Sequence, residues 1–388
     1  MATEDYYPTI HPNNIAQFDH WEPRNFIQPS GPLVAEVLAA DTAEVSINID
    51  LQDTVAPVMR TQFGVNANFR SKDDIVTRTH LYEELGAFRF PAGSGSNLYF
   101  WDCNLPDSTA IPTTQYCGTS SSFTDPDHFF TFKQNAQGEA TIVVNYFYAR
   151  YGTTSSGVRE DRVQQAADYA ASFVHKMNVQ LGANVKYWEV GNECYGSWEH
   201  GYDVNGSIVT GKEYGQDFQV FAEAMKAVDS TIWIGAVLSH NNFDWNRQVM
   251  VEAQDHADFL IVHQYYTVTD ANSSRDAVEQ IRDNMQELQS IIENYTSKEP
   301  GHFPVCFTEF NNSGTATTKM TNGLFIADAL AEIVRNRYTL STLWVNEWNI
   351  DSDHTHGFLA KNDPFQTQFT PRQAVSYTHL TLPTMMSV

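Results

Sequence analysis

The stretch "KYWEVGNECYGSWEHG", residues 186–201, joins an apolar run to a polar pair. Its first half is rich in aromatic and β-branched residues, which is typical of a buried strand. Asn192 and Glu193 follow where that strand would end. A polar pair is costly to bury without partners, so its position indicates a site rather than simple packing. The stretch therefore predicts a buried strand with functional side chains at its carboxyl end.

Similar short apolar runs recur along the chain and alternate with segments of helical period. The 159–177 segment is an example, with apolar residues spaced three and four apart. Further helical patterns cover about 73–85, 212–228, 274–294 and 319–336. The eight predicted strands are 61–66, 87–93, 141–147, 185–193, 231–239, 259–266, 303–311 and 341–348.

Eight strand and helix repeats predict an α/β fold, a closed (β/α)₈ TIM barrel. An open doubly wound sheet is the alternative. Such a sheet usually carries a glycine-rich phosphate turn after its first strand, and "FGVNANFRS" has none. The barrel is therefore favoured, and the site is expected at the carboxyl ends of its strands.

The chain is predicted to have three parts: an N-terminal extension over 1–60, the barrel over 61–376, and a tail over 377–388. Within the extension, residues 43–51 alternate apolar and polar side chains, which predicts a strand with one buried face that needs another sheet to cover it. The 93–139 insert is rich in Ser, Thr, Asp and Pro, and we expect it to form an ordered loop at the barrel mouth.

The composition excludes several classes of partner. The formal charge of -24 repels phosphate backbones and anionic lipids, so nucleic acid and membrane partners are not expected. Hydrophobic residues make up 42% of the chain, yet no apolar run approaches the ~20 residues of a membrane span. Aromatic residues make up 13%, and their faces suit both core packing and sugar rings. The oligomeric state stays open.

The cysteines and the N-terminus bear on the compartment. Cys103 and Cys117 lie in one polar segment, where a disulfide and two free thiols are both open, whereas Cys194 and Cys306 lie beside predicted strands. "MATEDYYPTI" shows no signal peptide. We expect a secreted or periplasmic protein whose signal peptide is absent from this sequence, and a cytoplasmic location stays open.

Polar residues recur at the predicted strand ends, where a barrel places its function. A lone glutamate there is more often a salt-bridge partner or a helix cap than a catalyst, and we assign Glu189 and Glu347 to that structural class. The candidate site residues are Asn192 and Glu193 after strand four, Glu309 on strand seven, His263 and Tyr265 on strand six, and Arg89 and Trp101 on and after strand two.

Two glutamates from strands four and seven that converge on one axis suit the hydrolysis of a glycosidic bond with retention of configuration. One carboxylate acts as nucleophile, and the other carboxyl protonates the leaving oxygen. Asn192 would hold a sugar hydroxyl, while His263 and Tyr265 would position and tune Glu309. A loop with Asp351, Asp353, His354 and His356 has metal-binding residue types, but such loops are mostly solvated. We therefore expect no metal and no cofactor.

The motifs "KYWEVGNECYGSWE", "FRFPAGSGSNLYFWD" and "CFTEFN" resemble those of clan A glycoside hydrolases, most of all the family 51 α-L-arabinofuranosidases. The resemblance runs from about Gly64 to the end of the eighth strand. It implies a retaining barrel hydrolase of oligo- or polysaccharides in which Glu193 is the general acid/base and Glu309 the nucleophile. It also implies that Asn66 and Ser94 stand where the family contacts the terminal sugar.

The substrate stays open at this point because two motifs depart from the family. This chain has Ala92, Gly93 and Ser94 where the family has two glycines and an asparagine, and it offers Asn66 and Asn68 where the family has a glutamate. A clan A β-xylosidase, endoglucanase or agarase-like enzyme is one alternative. A barrel that binds polysaccharide without catalysis is another, which the presence of both glutamates disfavours.

The C-terminus changes character after Ser376. The segment "SYTHLTLPTMMSV" lacks helical period and resembles translated sequencing-adapter sequence, so we expect 377–388 to be non-native. The family resemblance implies that a β-sandwich follows the barrel and pairs with the 43–51 strand. We expect that sandwich and most of the eighth helix to be missing from this sequence.

Overall fold

The computed structural model describes residues 54–67, 76, 79, 82–83, 85–104, 116–117, 123–313, 317, 319–348 and 356–360. Four expectations fall on other parts of the chain: the 43–51 strand, most of the 73–85 helix, the acidic part of the loop at 351–355, and the region after 360. The three-part division of the chain therefore stays a prediction.

Eight parallel strands form a closed barrel, which confirms the predicted fold. Each lies within or beside its predicted range, and neighbours pair in the order β1-β8-β7-β6-β5-β4-β3-β2. The strands are β1 (Gly64–Asn66), β2 (Ala87–Phe90), β3 (Glu139–Val144), β4 (Tyr187–Val190), β5 (Trp233–Val237), β6 (Phe259–Tyr266), β7 (Val305–Asn312) and β8 (Leu340–Leu343).

Helices surround this barrel and connect its strands. They are α1 (Pro126–Ala136), α2 (Arg159–Val174), α3 (Gly211–Val228), α4 (Phe243–Ala253), α5 (Ala271–Tyr295) and α6 (Met320–Arg335). The described residues also form a one-turn helix (Tyr148–Tyr151), the 3₁₀ helices Arg60–Gln62 and Gly93–Leu98, and a π-helical turn (His175–Gln180) after α2. Outside the barrel, Tyr99–Phe100 pairs with Tyr116–Cys117, Asp203–Val204 with Ser207–Ile208, and Glu347–Trp348 with Leu359–Ala360.

The helices begin and pack as their sequences require. Side chains of Asp125, Thr210, Asn242 and Asp270 accept backbone N–H bonds at the starts of α1, α3, α4 and α5, which satisfies donors that a helix leaves free. The apolar positions predicted in 159–177 face inward: Val163, Ala166, Ala167, Ala170, Val174 and Met177 are all buried. Helical spacing therefore identified the core-facing stripe of α2.

The 93–139 insert differs from the expected loop. It contains the 3₁₀ helix Gly93–Leu98, a short strand pair and the helix α1. Phe129 and Phe132 of α1 are buried against Phe90 and Phe88 of β2, so α1 is the barrel helix that links β2 to β3. The polar composition of the insert concealed this helix, because only its inner face is apolar.

Cys103 and Cys117 are paired as a disulfide, with their Cα atoms 4.7 Å apart. Cys194 and Cys306 are free and buried. Among the described residues, no helix is both long and apolar enough to cross a bilayer.

Candidate active site

A sharp turn after β4 places Asn192 and Glu193 at the barrel mouth. Gly191 has φ of +83°, and a Cβ there would lie 2.5 Å from the Cys194 sulfur and 2.8 Å from the Tyr146 Cβ. Only glycine fits both the left-handed backbone and the contact. Glu193 itself has φ of +44°. The chain thus turns twice within three residues, and the two polar side chains lie over the barrel axis.

An irregularity in the pairing of β6 and β7 places Glu309. Val262 pairs with Phe307, but the next residue, His263, pairs with Glu309, so Thr308 is an extra residue in β7. Bulges of this kind change the direction of a side chain and are frequent beside active sites. Here the bulge sets Glu309 level with His263 at the mouth of the barrel.

The two predicted glutamates meet at His263. Its Nδ1 lies 3.1 Å from Oε1 of Glu193 and 3.2 Å from Oε2 of Glu309. Its Nε2 lies 3.0 Å from the Thr308 hydroxyl, which holds the ring in place. The three ligand-type atoms of Glu193, His263 and Glu309 all lie within 4.8 Å of one another. A metal could use the same three atoms, yet each of them already has a hydrogen-bond partner within the protein.

Each carboxylate also has partners of its own. The indole N–H of Trp198 donates to Oε2 of Glu193 at 2.7 Å, and the Tyr195 hydroxyl lies 3.4 Å from its Oε1. Oε1 of Glu309 accepts a bond of 2.6 Å from the Tyr265 hydroxyl. Side-chain exposure is 14% for Glu193 and 6% for Glu309. Glu193 is thus the carboxyl nearer to solvent.

Arg89 connects the floor of the site. Its guanidinium is fully buried and donates to Glu189 at 2.9 Å and to Glu309 at 3.3 Å. It also donates to the amide oxygens of Asn66 and Asn192, at 3.1 Å and 2.9 Å. A buried cation needs such compensation. Glu189 is therefore the salt-bridge partner that the sequence predicted, and Arg89 holds the nucleophile candidate in place.

The surroundings give the two carboxyls different pKa values. Burial opposes ionisation of Glu193, but the hydrogen bond and charge of His263, together with Trp198 and Arg89, outweigh it and lower the pKa of Glu193. Burial raises the pKa of Glu309, and the negative charge of Glu193 raises it further. His263, Arg89 and Tyr265 lower it, but the net effect is a raised pKa. These directions favour a proton on Glu309 over one on Glu193, whereas a proton-donor role for Glu193 requires the opposite. His263 can stabilise whichever carboxyl is ionised.

The other predicted site residues lie at different depths. Asn192 is buried, and its side chain bridges Arg89 and Glu199. Asn66 is buried beneath Arg89 and donates to Thr308 O of β7 and to groups of β8, so it closes the floor of the site. Ser94 is exposed at the mouth, where its hydroxyl contacts Glu199. Asn66 and Asn192 are thus joined to Glu309 through Arg89, and Ser94 is joined to Asn192 through Glu199.

The structure does not bring Trp101 to the carboxyl pair. Its ring stacks on Phe173 of α2 with the centroids 5.8 Å apart, and its indole N–H donates to Ser172. Both partners belong to the outer helix. The closeness of Trp101 to β2 in the sequence therefore does not translate into closeness to Glu193 or Glu309.

Several site residues were not singled out from the sequence. Trp198, which is 62% exposed, and the buried Glu199 follow Glu193 by five and six residues. Asn97 clamps the backbone of Asn192, with bonds of 2.8 Å and 3.1 Å to its C=O and N–H. Thr308 was hidden inside an apolar strand pattern. The tryptophan shortly after the Asn-Glu pair was the one signal that could have been used.

Comparisons with known proteins find relatives in sequence and in fold. No protein-family model matches the chain. An intracellular exo-α-(1→5)-L-arabinofuranosidase of Acetivibrio thermocellus is 30% identical over 200 residues, covering 48% of this chain and 38% of that enzyme. An enzyme of the same name from Bacillus subtilis is 24% identical over 196 residues, covering 47% of this chain and 37% of that enzyme. The matched part thus spans less than two fifths of either relative.

A solved structure shows the same fold over more of the chain. The α-L-arabinofuranosidase of Thermotoga maritima, crystallised with arabinose, superposes with a TM-score of 0.64 at 18% identity, covering 85% of this chain and 72% of that one. The chain is therefore similar to α-L-arabinofuranosidases in sequence and to a family 51-type barrel in fold. The expectation of a secreted or periplasmic protein finds no support in relatives that are named intracellular.

Proposed function

We propose that this protein is a retaining glycoside hydrolase that acts on α-L-arabinofuranosides in oligo- or polysaccharides. The observation that carries the proposal is the carboxyl pair, with oxygens of Glu193 and Glu309 within 4.8 Å of one another around His263. Retaining glycosidases place their carboxyl groups ~5 to 5.5 Å apart, whereas inverting enzymes need ~6.5 to 9.5 Å to admit a water. The arabinofuranoside specificity comes from the named relatives.

In the first step, Glu309 attacks the anomeric carbon as the bond to the leaving oxygen breaks. The proton of the pair, which has to lie on Glu193 in the complex with substrate, passes to that oxygen, so the leaving group departs as an alcohol and the sugar becomes an ester of Glu309. Arg89 and Tyr265 contact Glu309 and hold it in line for the attack. Glu193, the more exposed of the two carboxyls at 14% of its side chain, suits contact with a leaving group that extends towards solvent.

In the second step, Glu193 takes a proton from water as the water oxygen bonds to the anomeric carbon. The ester bond to Glu309 breaks, Glu309 returns to its carboxylate form, and Glu193 is again protonated. Two inversions give net retention. His263 contacts both carboxyls and stabilises the negative charge as it shifts from one to the other.

The decisive test separates the two roles with alanine variants and a nitrophenyl arabinofuranoside. Glu309→Ala should lose nearly all activity, and azide should restore turnover with an inverted glycosyl azide, because azide takes the place of the nucleophile. Glu193→Ala should lose about 10²- to 10⁴-fold in kcat, because the second step lacks its general base, while kcat/KM falls less because nitrophenolate leaves with little protonation. Its azide product should keep the retained configuration. Wild-type activity in either variant contradicts the proposal.

The substrate is tested separately with a panel of nitrophenyl glycosides and of plant and algal polysaccharides. The α-L-arabinofuranoside should be the best substrate of the panel. A β-xyloside or a β-glucan as the best substrate would leave the carboxyl roles intact and replace only the sugar assignment.

A further inference from the structure

Glu199 is a third buried carboxyl group beside the catalytic pair, and the mechanism above does not use it. It is 4% exposed, and its three hydrogen-bond partners are all neutral. Oε1 lies 2.6 Å from the Ser94 hydroxyl and 3.1 Å from the amide nitrogen of Asn192, and Oε2 lies 2.6 Å from the amide nitrogen of Asn97. A buried carboxyl is costly to ionise without a cation, so the presence of Glu199 at this position calls for an explanation.

The surrounding bonds fix which partners donate to Glu199. Asn97 uses its oxygen for the N–H of Asn192 and its nitrogen for the C=O of Asn192, so its amide cannot be flipped. The oxygen of the Asn192 side chain accepts from Arg89, which leaves its nitrogen to donate to Glu199. Both amides are therefore permanent donors. Ser94 alone has a hydroxyl, which can either donate or accept.

Of these three partners, only the Ser94 oxygen can accept a hydrogen bond from a protonated Glu199. When Glu199 is ionised, the Ser94 hydroxyl donates to it and the Ser94 oxygen is left as an acceptor at the mouth. When Glu199 is protonated, it donates to Ser94, whose own hydrogen then points elsewhere. Because Ser94 is exposed, a ligand at the mouth of the site meets either a hydrogen-bond donor or an acceptor at this hydroxyl.

We propose that Glu199 is a positioning residue: it locks Asn192 beside the catalytic pair and sets, through Ser94, whether the mouth of the site offers a sugar hydroxyl a donor or an acceptor. The part of this inference that concerns a sugar hydroxyl rests on the proposed function. The contact by which Glu199 holds Asn192 does not depend on that function. Glu199 also lines a cavity of about 330 Å³ with Tyr151, Ser197, His200, Asp203 and Asn205, which gives its edge access to solvent.

The charges around Glu199 support such a switch. Burial raises its pKa to about 8, and the charges of Glu193 and Glu309 add to this, while the bonds from Ser94 and Asn97 act in the opposite direction. Titratable groups from three segments interact with Glu199 or share its cavity: Glu193, Cys194, Tyr195, His200 and Asp203 after β4, Glu309 of β7, and Tyr151 after β3. Arg89 of β2 reaches it through Asn192.

A double-mutant cycle tests the lock on Asn192. Glu199→Gln keeps the shape, but it sets an N–H₂ group towards the amide nitrogen of Asn192 or of Asn97. We expect Glu199→Gln to lower kcat/KM on the order of tenfold, mainly through kcat, in the wild-type background, and to have little effect when Asn192 is already Ala. Residues in contact typically couple in this way. Additive losses would show that Glu199 does not act through Asn192 and would overturn the proposal.

The role of Ser94 is tested by the pH dependence of KM. In the wild type, KM for the nitrophenyl arabinofuranoside should change across pH 7 to 9, around the pKa of about 8. That change should be absent in both Ser94→Ala and Glu199→Gln, and retained in Glu160→Gln, an exposed glutamate of α2. A KM change that survives in Ser94→Ala overturns the switch.

A readout without substrate separates this inference from the proposed function. The pKa of Glu199 is about 8, above the usual 4.5, so the folded state holds a proton that the unfolded state releases between these values, and wild-type stability should fall as pH rises through that window. The melting temperature of Glu199→Gln should fall less steeply, and that of Glu160→Gln should follow the wild type. Equal slopes in all three proteins overturn the buried-proton argument, whereas a wild type without glycosidase activity overturns the proposed function alone.

Discussion

At the scale of single residues, the site depends on side chains that hold other side chains. Thr308 holds His263, His263 contacts both Glu193 and Glu309, and Arg89 holds Glu309. Each of these contacts is buried or nearly so, where a lost partner leaves an uncompensated polar group. The consequences of changing one residue should therefore show in the titration of the carboxyl pair as well as in rate.

The pH profile of kcat/KM is expected to be bell-shaped. Catalysis needs one proton on the pair, so activity is lost at low pH when both carboxyls are protonated and at high pH when both are ionised. The pKa of Glu193 is lowered from its usual 4.5 and that of Glu309 is raised, so the two limbs should bracket that value. Initial rates from about pH 3 to 9 check this, and a flat profile contradicts a working carboxyl pair.

Thr308→Val should disturb the pair without touching it. The change removes the hydroxyl that holds His263 Nε2 and leaves that nitrogen unpaired, at a cost of about 1 to 3 kcal/mol. We expect kcat/KM to fall several-fold and the acidic or basic limb of the profile to move. Thr342→Val is the matched control, because that buried hydroxyl donates to the Thr308 backbone instead of to His263. The control should lose stability but keep the wild-type limbs; a shifted limb in the control contradicts the argument.

At the scale of elements, two local departures from regular strand geometry build the site. The turn at Gly191 ends β4 early and directs Glu193 over the axis, and the extra residue Thr308 sets Glu309 level with His263. Regular strands would alternate their side chains between the two sides of the sheet. The strand ends provide the residues of the site, and these two irregularities orient the side chains of Glu193 and Glu309 towards each other.

The turn can be tested with a pair of glycine variants. Gly191→Ala introduces a left-handed backbone cost of about 1 to 2 kcal/mol and a close contact with Cys194 and Tyr146, so both stability and kcat should fall. Gly182 has a similar φ of +64°, but a Cβ there meets nothing within 4 Å. Gly182→Ala should therefore lose stability only through the left-handed backbone and should keep the wild-type kcat. Melting temperatures and kcat for the two variants decide; equal loss of kcat contradicts a special role for the turn.

At the scale of the whole molecule, the disulfide of Cys103 and Cys117 ties the insert together and bears on the compartment. Its loop closes over a separation of 14 residues, which the chain-entropy model values at about 3 kcal/mol. Alkylation of the unfolded, unreduced protein should label only Cys194 and Cys306, and the double Cys→Ser variant should melt at a lower temperature. Four labelled thiols in protein from its own cell would contradict the bridge and favour a reducing compartment.

The sequence by itself determined the barrel and predicted which two glutamates lie together at its mouth. Eight apolar runs with helical segments between them specify a parallel sheet that has to close, because the alternation leaves each strand buried on both faces. Since all carboxyl ends of such a barrel meet at one mouth, Glu193, Glu309, His263 and Tyr265 could be placed together before any distance was known. Local pattern and topology suffice for this level of detail.

Only the tertiary structure decided how these residues work together. The sequence could not show that Trp101 packs on α2, that Asn66 lies beneath Arg89, or that Ser94 contacts Glu199, because each of these contacts joins residues 23 or more positions apart. Asn192 and Glu199 are seven residues apart and meet through the turn that follows β4. The helix α1 and the bulge at Thr308 were concealed for a related reason. Pattern reports which face of a segment is apolar, whereas hydrogen-bond partners and register depend on side chains that other strands bring into reach.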